Sequence, residues 1–503
     1  MKKTVSIVGW GIWGLASAIL LAKEWYEVSV YEKNECLGGR ASVFQEKWYT
    51  FDMGPSRYLM PDLFEEFFQS IGEDIHQYLD LKKLSPSYKV FYPEEKSGKT
   101  KGDMKSMDVY ADIDRMAKTF ETMEPWSGEK FKKFLRSSAK QYKIGMEFAK
   151  RNYDSIFDFF RLDIARKGLQ LNVFTTIDTY VARFFSTRIL QKIMQYTTVF
   201  LGTAPSQTPA LYNIMSHVDF AMGVRYPSGW LHMIAKALEK IWLKYGVKYF
   251  LDHELASVDI HDKKISSLRF KNDKKVASDI VLINADQAWF ETSIVPQAYQ
   301  TYTKPYRDKK TFAPSGFILY AGINKKLPNL QHHNLYFNDD WKKSFGDIFQ
   351  RKLLPEDPSI YVSMISKTDP KSAPEGKENI FVLVPIPNSI QISAEKKEEY
   401  RQKVWKKVEE MAGEKITEHI EYEQVFEVED FIKRYNAYGG TALWLAHTMM
   451  QTASFRPNNY SKKINNLFYV GHNTNPWIGV PMVIVSAMLV NERIKRKWYS
   501  ASK

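Results

Sequence analysis

Hydrophobic positions at the start of the chain predict a strand, a helix and a second strand. Val5-Ser6-Ile7-Val8 is a short apolar run typical of a buried strand, and Leu15 to Lys23 is apolar enough for a helix packed on a sheet. Val28-Ser29-Val30-Tyr31 alternates like another strand and ends at Glu32. This order predicts two neighbouring parallel strands joined by a crossover helix.

A glycine-rich turn, Gly9 to Gly14, joins the first strand to the helix with the spacing G-x-G-x-x-G. In this context the spacing indicates dinucleotide binding. Gly9 allows a sharp turn, Gly11 allows a pyrophosphate to approach the backbone, and Gly14 allows the helix to pack closely on the sheet. The predicted cofactor contacts of the turn are Gly9, Gly11, Ile12, Trp13 and Gly14, because free N–H groups at a helix N-terminus attract phosphate.

Glu32 ends the second strand, where a carboxylate accepts hydrogen bonds from a ribose diol and disfavours the 2′-phosphate of NADP. The same N-terminal stretch has another interpretation. Met1-Lys2-Lys3 followed by apolar residues to Ala22 is also typical of a signal peptide or a short membrane helix. Three glycines would weaken such a helix by roughly 1 kcal/mol each. The strand that follows has no role in a signal peptide, so nucleotide binding is the favoured interpretation.

Beyond residue 80 the hydrophobic pattern is first mainly helical and then mainly strand-like. Met107 to His217 is predicted to be largely helical, and Ser155 to Arg166 is amphipathic, which suits a core helix first and also a channel wall or a membrane interface. Pro and Gly between the later apolar runs favour an antiparallel sheet. The predicted strands are Val247–Leu251, Glu254–Ile260, Ile265–Phe270, Asp279–Asp286, Phe317–Gly322, Asn334–Phe337, Ile360–Ile365 and Ile380–Pro385.

Charge and cysteine content limit the kinds of binding partner that the sequence suggests. The formal charge of +13 indicates an anionic partner, but the lysines are scattered and no nucleic-acid motif is present. An anionic membrane surface is therefore favoured over nucleic acid, with a plain solvated surface as an equal alternative. Cys36 is the single cysteine, which excludes an intrachain disulfide and a cysteine metal cluster, and no H-E-x-x-H motif occurs, so no metal is predicted. A reducing cytoplasm fits this composition.

Two further motifs resemble those of flavoproteins with two dinucleotide-binding domains. Gly38-Gly39-Arg40 is similar to their second signature, and Phe51 to Ser56 is similar to the segment that runs beneath the flavin. Near the C-terminus, Asn466 to Gly471 is typical of a buried strand, His472 to Pro481 of a loop, and Met482 to Arg493 of a helix. In this class that helix points at the pyrimidine side of the flavin. The resemblance implies FAD, held at Gly39, Arg40, Gly54, Pro55, Val258, Gly471, Gly479, Val480 and Met482 in addition to the first turn and Glu32.

Longer strings resemble the carotenoid desaturase family, the bacterial phytoene and diapophytoene (dehydrosqualene) desaturases, over nearly the whole chain. These strings are Ser315–Tyr320, His332–Phe337, Asp369–Asn379, Tyr435–Ala437, Ser454–Pro457 and Asn466–Gly471. The resemblance implies an α/β fold, with a Rossmann-like FAD-binding domain and an inserted α+β substrate domain of helices and a mostly antiparallel sheet. We expect FAD-binding parts at 1–80, 225–300 and 426–503, a helical substrate or membrane-facing part at 81–224, and the substrate sheet at 301–425.

The family introduces C=C bonds into a linear polyene precursor by hydride transfer to flavin. The resemblance therefore implies a long apolar polyene substrate of the phytoene or dehydrosqualene type. It also implies peripheral association with the inner face of the membrane, and quinone or oxygen as the electron acceptor. No acid–base pair stands out in the sequence, so the catalytic residues are left unassigned. Asp52, Arg456 and His472 are each better explained by structural roles.

Four positions depart from the family pattern. Trp10 and Trp13 stand where small residues are usual, and Asn475 and Trp477 stand where His and Gly are usual. These departures leave two alternatives open. One is a sibling activity on the same scaffold, namely carotenoid oxygenation, isomerisation or saturation. The other is a non-catalytic polyene-binding protein whose flavin site has degraded.

Overall fold

The computed structural model describes residues 2–94, 103–153, 167–452, 455–476 and 478–499. The predictions for Ser155–Arg166 and for Trp477 lie outside these residues. Among the described residues, the helices of eight or more residues are α1 (Ile12–Lys23), α2 (Pro61–Ile71), α3 (Ile113–Met123), α4 (Ser127–Ala149), α5 (Arg188–Gln195), α6 (Met233–Lys244), α7 (Ala394–Ala412), α8 (Val428–Tyr435) and α9 (Val480–Tyr499). Shorter α-helical segments are Ile177–Ala182, Ile214–His217, Gln287–Trp289, Lys304–Asp308 and Trp341–Gly346.

The strands follow the predicted positions closely in the second half of the chain. They are β1 (Thr4–Val8), β2 (Glu27–Tyr31), β3 (Val43–Glu46), β4 (Tyr49–Asp52), β5 (Leu81–Lys83), β6 (Tyr88–Pro93), β7 (Met104–Val109), β8 (Arg225–Pro227), β9 (Lys248–Phe250), β10 (Leu255–His261), β11 (Lys264–Phe270), β12 (Lys275–Ala277), β13 (Ile280–Ile283), β14 (Ser315–Ile323), β15 (His333–Tyr336), β16 (Ile360–Ser363), β17 (Glu378–Ile386), β18 (Ile420–Phe426) and β19 (Leu467–Tyr469). Met107 lies in β7, so the helical region begins later than the sequence pattern predicted.

A five-stranded parallel sheet forms the nucleotide-binding half, in the order β19-β13-β1-β2-β9. Its central strand pairs Val5 with Val28 on one side and with Ile280 on the other. Strand β13 is apolar and buried throughout, and β1 is buried from Val5 onwards, as expected for central strands of a parallel sheet that is covered on both faces. Helices α1, α6 and α9 pack together in one apolar cluster with the sheet. The predicted Rossmann-like domain is confirmed, and its strands come from three separate parts of the chain.

A seven-stranded sheet forms the second half, in the order β18-β14-β17-β16-β15-β6-β7. Its neighbouring strands are antiparallel except for β15 and β6, which are parallel. The prediction of a mostly antiparallel sheet is therefore confirmed. Helix α7 covers one face, where Val404, Trp405 and Val408 are buried against the sheet. Helix α8 packs on the other side of β14, with the rings of Phe426 and Phe431 5.0 Å apart.

The predicted domain boundaries stay a prediction, and the seven-stranded sheet takes in elements from outside the predicted segment 301–425. The hairpin β6–β7 belongs to the seven-stranded sheet although it lies in the segment predicted to be helical. Helix α8 contacts that sheet although it lies beyond residue 425. Within the described residues, no helix combines the length and the apolar character needed to cross a bilayer.

Candidate active site

A cavity of about 2790 Å³, its open mouth included, runs between the two sheets. At one end it meets the carboxyl ends of β1, β2 and β13, the edge at which open α/β sheets bind ligands. At the other end its walls come from β14 to β17 and from helix α8. The cavity therefore joins a nucleotide-binding edge to a region of apolar side chains.

The glycine turn lines the first end. Gly9 has φ +102° and its N–H donates to the Tyr31 carbonyl at 2.8 Å, which bends the chain out of β1. A Cβ at Gly14 would lie 2.5 Å from the Gly9 carbonyl oxygen, so only glycine allows this approach of α1. Gly11 is the N-cap of α1 and its position carries no side-chain cap. The first N–H groups of α1 therefore face the cavity ready for an anion.

The Gly38–Arg40 loop closes over this turn. The Gly38 N–H donates to the Trp10 carbonyl at 2.9 Å, and a Cβ at Gly39 would lie 3.3 Å from the Gly11 Cα. The Arg40 side chain lines the cavity with its guanidinium 5.1 Å from the Tyr435 ring centroid. Its Nε and Nη2 have no hydrogen-bond partner among the described residues. Burial lowers the pKa of Arg40, and the nearby carboxylate of Asp286 acts in the opposite direction.

A buried cation with unused donors points to an anionic ligand. The pyrophosphate of a dinucleotide fits this requirement, because the N-terminus of α1 and the backbone of Gly39 border the same space. The residues present therefore fit FAD at this end of the cavity.

Glu32 is held at the end of β2, as the sequence predicts. Its Oε2 accepts a hydrogen bond from the Trp10 N–H at 2.7 Å, and its Oε1 accepts from the Asn34 backbone and side chain at 2.9 and 2.8 Å. A carboxylate oxygen accepts two hydrogen bonds, so Oε2 can also accept one from a ribose hydroxyl. Burial raises the pKa of Glu32, and the hydrogen bonds from Asn34 and Trp10 oppose that rise.

The C-terminal loop and helix α9 complete the cofactor end. Gly479, Val480 and Met482 line the cavity at the start of α9. Arg456 fastens the loop, since its Nη2 donates to the His472 carbonyl and its Nε donates to the Thr474 carbonyl at 3.2 Å. Arg456 thus has the structural role that the sequence predicts. The His472 ring lines the cavity, and its Nε2 has no hydrogen-bond partner among the described residues.

The two unusual tryptophans of the glycine turn take different places. The Trp10 ring packs on Trp242 of α6 at 4.9 Å and on Tyr249 of β9 at 4.8 Å. The Trp13 ring lies 5.2 Å from the His472 ring, and a Cβ at Gly471 would lie 3.3 Å from it. Both tryptophans reach the cavity wall, but their rings are held by neighbours within the protein. The glycine turn keeps its dinucleotide-binding geometry despite them.

Most of the predicted cofactor residues meet in this cavity: Gly9, Gly11, Ile12, Trp13, Glu32, Gly39, Arg40, Gly54, Pro55, Gly479, Val480 and Met482. Gly14 and Gly471 lie just behind the wall and permit close packing instead. Val258 lies in a core cluster on β10, opposite Leu268, while Leu255 of the same strand reaches the cavity.

Sequence reasoning missed several residues of the wall. Asp286 follows β13, and its carboxylate caps a helical turn by accepting from the Trp289 N–H at 2.9 Å. Arg57 directly follows the Phe51–Ser56 segment and lines the cavity with Tyr196 and Tyr361. A signal that could have found Asp286 is its place just after a buried parallel strand, which is the same signal that identified Glu32. No local signal connects Tyr196 or Tyr361 to this site.

Comparisons with known proteins agree with this geometry. The sequence profile described as flavin containing amine oxidoreductase matches residues 14–495. A carotenoid 3,4-desaturase of Haloarcula japonica is 42% identical over 486 residues, covering 96% of both chains. A zeta-carotene-forming phytoene desaturase of Myxococcus xanthus is 32% identical over 98% of this chain and 94% of its own.

Among solved structures, an oxidoreductase from Methanosarcina mazei superposes with a TM-score of 0.63 at 16% identity, over 97% of this chain and all of that one. At that identity the likeness concerns the fold. The family match identifies FAD as the cofactor, and the unpartnered Nε and Nη2 of Arg40 agree with it because they can bind an anion such as its pyrophosphate. The chain belongs to the flavin-containing amine oxidoreductases and, within them, to the carotenoid desaturase family.

Proposed function

We propose that the protein is an FAD-dependent desaturase that introduces C=C bonds into a linear carotenoid precursor of the phytoene or dehydrosqualene type. The observation that carries this proposal is a cavity that continues from the dinucleotide-binding edge into an apolar chamber. The carotenoid desaturases that resemble the chain over nearly its full length support the same activity.

Residues at the cofactor end bind and orient. The free N–H groups of α1 and the Arg40 guanidinium bind the pyrophosphate, while Glu32 binds the ribose. The N-terminus of α9, at Val480 to Met482, presents the positive end of its dipole to the cavity and favours negative charge there. When bound, FAD supplies the acceptor for a hydride.

Residues at the other end hold an apolar chain and exclude water. Ile318, Leu335, Phe337, Phe381 and Phe431 are buried side chains that line this part of the wall. A hydrocarbon substrate offers no polar group to recognise, so the fit of such walls and the removal of apolar surface from water provide its binding energy. The walls also fix which C–H bond faces the cofactor, which is the main protein contribution to this chemistry.

The test is a reconstituted reaction with purified protein, FAD and detergent-dispersed phytoene, dehydrosqualene or a partly desaturated polyene. We expect each turnover to remove two hydrogens from the substrate and to move its absorbance to longer wavelength. Added oxygen or an unchanged mass would indicate oxygenation or isomerisation instead. Protein that retains FAD but leaves all three substrates unchanged would contradict the proposal.

We also propose that the protein works at the inner, cytoplasmic face of a membrane and passes electrons to a quinone or to oxygen. The net charge of +13 and the apolar substrate support membrane attachment. Exposed apolar side chains support it as well, because Phe174 is 83% and Met450 is 66% exposed on short turns.

Vesicle sedimentation tests the attachment. Phe174→Ser combined with Met450→Ser should weaken binding to anionic phosphatidylglycerol vesicles, because it removes apolar surface that would enter the lipid. Trp48→Ser is the matched control, since Trp48 is 88% exposed but lies on the β3–β4 turn. Equal binding of the double variant and the control would contradict this role for the two residues. Flavin reoxidation by a soluble quinone without air, compared with reoxidation by air alone, distinguishes the two acceptors.

A further inference from the structure

A buried polar cluster borders the apolar part of the cavity. It consists of Arg57, Tyr88, Tyr196 and Asp219, and is hereafter called the Asp219 cluster. The Asp219 Oδ2 accepts hydrogen bonds from the Tyr88 hydroxyl at 2.5 Å and from the Tyr196 hydroxyl at 3.0 Å. The Arg57 Nη1 donates to the Tyr196 hydroxyl at 2.9 Å, and the guanidinium lies 4.9 Å from the Tyr88 ring centroid.

Only part of this cluster reaches the cavity. Arg57 and Tyr196 line the wall, whereas Tyr88 and Asp219 lie behind it. A hydroxyl in the wall is thus hydrogen-bonded to a carboxylate that the cavity does not touch. A hydrocarbon needs no such group for binding, and burying a carboxylate beside it is costly even where, as here, a guanidinium and two hydroxyls compensate the charge. The arrangement therefore calls for a role in the chemistry.

This role rests on the proposed function. Desaturation breaks two C–H bonds: one hydrogen passes to the flavin as a hydride with both electrons, and the neighbouring one leaves as a proton while its electron pair forms the C=C bond. We propose that the Tyr196 hydroxyl accepts this proton and passes its own proton to the Asp219 carboxylate. The carboxylate becomes a carboxylic acid and holds the proton until the product leaves and water enters the cavity.

Other polar groups of the wall suit this step less well. Glu32 and Asp286 belong to the cofactor end, where the Glu32 carboxylate accepts hydrogen bonds from Trp10 and Asn34 and the Asp286 carboxylate caps a helical turn. Tyr361 also lines the wall and bonds to the His333 Nδ1 at 2.8 Å, but burial and neighbouring positive charge hold the pKa of His333 well below its ordinary value. A protonated His333 would be a second positive charge near Arg57, so His333 is a poor acceptor for the proton.

Asp219 is better placed to keep a proton. The groups that face it are Arg57, Tyr88 and Tyr196, and burial raises its pKa while these three act to lower it. Protonation therefore relieves the desolvation of the carboxylate, while the positive Arg57 favours the ionised form that accepts the proton.

The test compares two tyrosines that donate to the same carboxylate. Tyr196→Phe removes the hydroxyl in the wall, and Tyr88→Phe, the control, removes the one behind it; both keep the ring that lies against Arg57. The measurement is the rate of flavin bleaching by polyene in anaerobic stopped flow with the FAD-loaded enzyme. Tyr196→Phe should slow bleaching by about 100-fold or more, the usual size of a general-base contribution. Tyr88→Phe should change it by only a few-fold.

Asp219→Asn adds a pH readout that a structural role would not move. An amide oxygen still accepts from the Tyr196 hydroxyl but takes up no proton. Wild-type bleaching should slow as the pH falls and Asp219 becomes protonated in advance, whereas Asp219→Asn should be slow and independent of pH. Equal rates for Tyr196→Phe and Tyr88→Phe, with an active wild type, would overturn the relay alone. A wild type that no polyene bleaches would overturn the proposed function and the relay with it.

Discussion

The close approach of helix α1 to the glycine turn, at Gly14, gives a quantitative test of the cofactor end. A Cβ at Gly14 would lie 2.5 Å from the Gly9 carbonyl oxygen and 2.9 Å from the Asn284 Nδ2, which itself donates to that carbonyl at 3.0 Å. Helix or turn must move by about half an ångström before the new atom reaches even 3.0 Å. Gly14→Ala therefore strains the packing of α1 and displaces the N–H groups that bind pyrophosphate.

The size of the effect follows from two opposing contributions. Overpacking of this kind costs about 1–3 kcal/mol, and disturbing the Asn284 hydrogen bond costs about 1 kcal/mol more. Alanine in a helix interior returns about 1 kcal/mol relative to glycine. We therefore expect Gly14→Ala to lower the free energy of unfolding by about 1–3 kcal/mol.

Gly145→Ala in α4 is the matched control. Gly145 is also a buried glycine within a helix, but its Cβ would meet only the Leu211 Cδ1, at 3.9 Å. The free energy of unfolding of this variant should rise by up to about 1 kcal/mol. Melting temperature at fixed excess FAD, together with flavin absorbance per protein after gel filtration, measures both effects. If Gly14→Ala melted as high as Gly145→Ala and kept its flavin, the close approach of α1 to the turn would be refuted.

Three other predictions follow from buried groups. Burial raises the pKa of Asp52 to about 7 although the Tyr226 hydroxyl bonds to it, so the folded protein binds a proton that the unfolded chain releases from about pH 4 upwards. Stability should fall between about pH 4 and 7, by ~4 kcal/mol at most from this group, and melting curves should show a shallower fall for Asp52→Asn. Arg40→Met should lose FAD during gel filtration while keeping its far-ultraviolet circular dichroism; full flavin retention would remove Arg40 from the pyrophosphate site. Trp10→Ala should destabilise the protein by about 3–5 kcal/mol, because its ring is fully buried against Trp242, and a smaller loss in urea titration would mean that the stack contributes little.

Local chemistry explains why the cofactor end could be predicted from the sequence. The β1-α1-β2 unit depends on apolar periodicity, on glycines that no other residue replaces, and on Glu32 at the end of a strand. All of these signals lie within about thirty consecutive residues. The antiparallel sheet could be predicted for the same reason, since alternation along β14 or β17 is a property of each strand alone.

The Asp219 cluster could not be predicted in that way. Its residues come in two pairs from separate regions, Arg57 with Tyr88 and Tyr196 with Asp219. The hydrogen bonds from Arg57 to Tyr196 and from Tyr88 to Asp219 span 139 and 131 residues, so only tertiary packing brings the two pairs together. The place of Trp10 depends likewise on Trp242 and Tyr249, which the hydrophobic pattern does not connect to it. Pairing of β6 with β15 is parallel and spans more than two hundred residues, so no turn signal marks it.

The parallel sheet also sets the order in which the protein can mature. Strands β1 and β2 lie within the first 31 residues. The neighbour of β1 on the other side, β13, gains its second partner only with β19 at residues 467–469, and α9 follows that strand. At about 5–20 residues per second, the ribosome needs roughly twenty seconds to a minute and a half between these parts. During that time the glycine turn lacks β19 and α9, and from the emergence of β13 until β19 is made the outer edge of β13 is unpaired and open to aggregation. Flavin uptake is therefore a late event in biosynthesis. Bound flavin indicates that β19 and α9 have packed against the β1-α1-β2 unit.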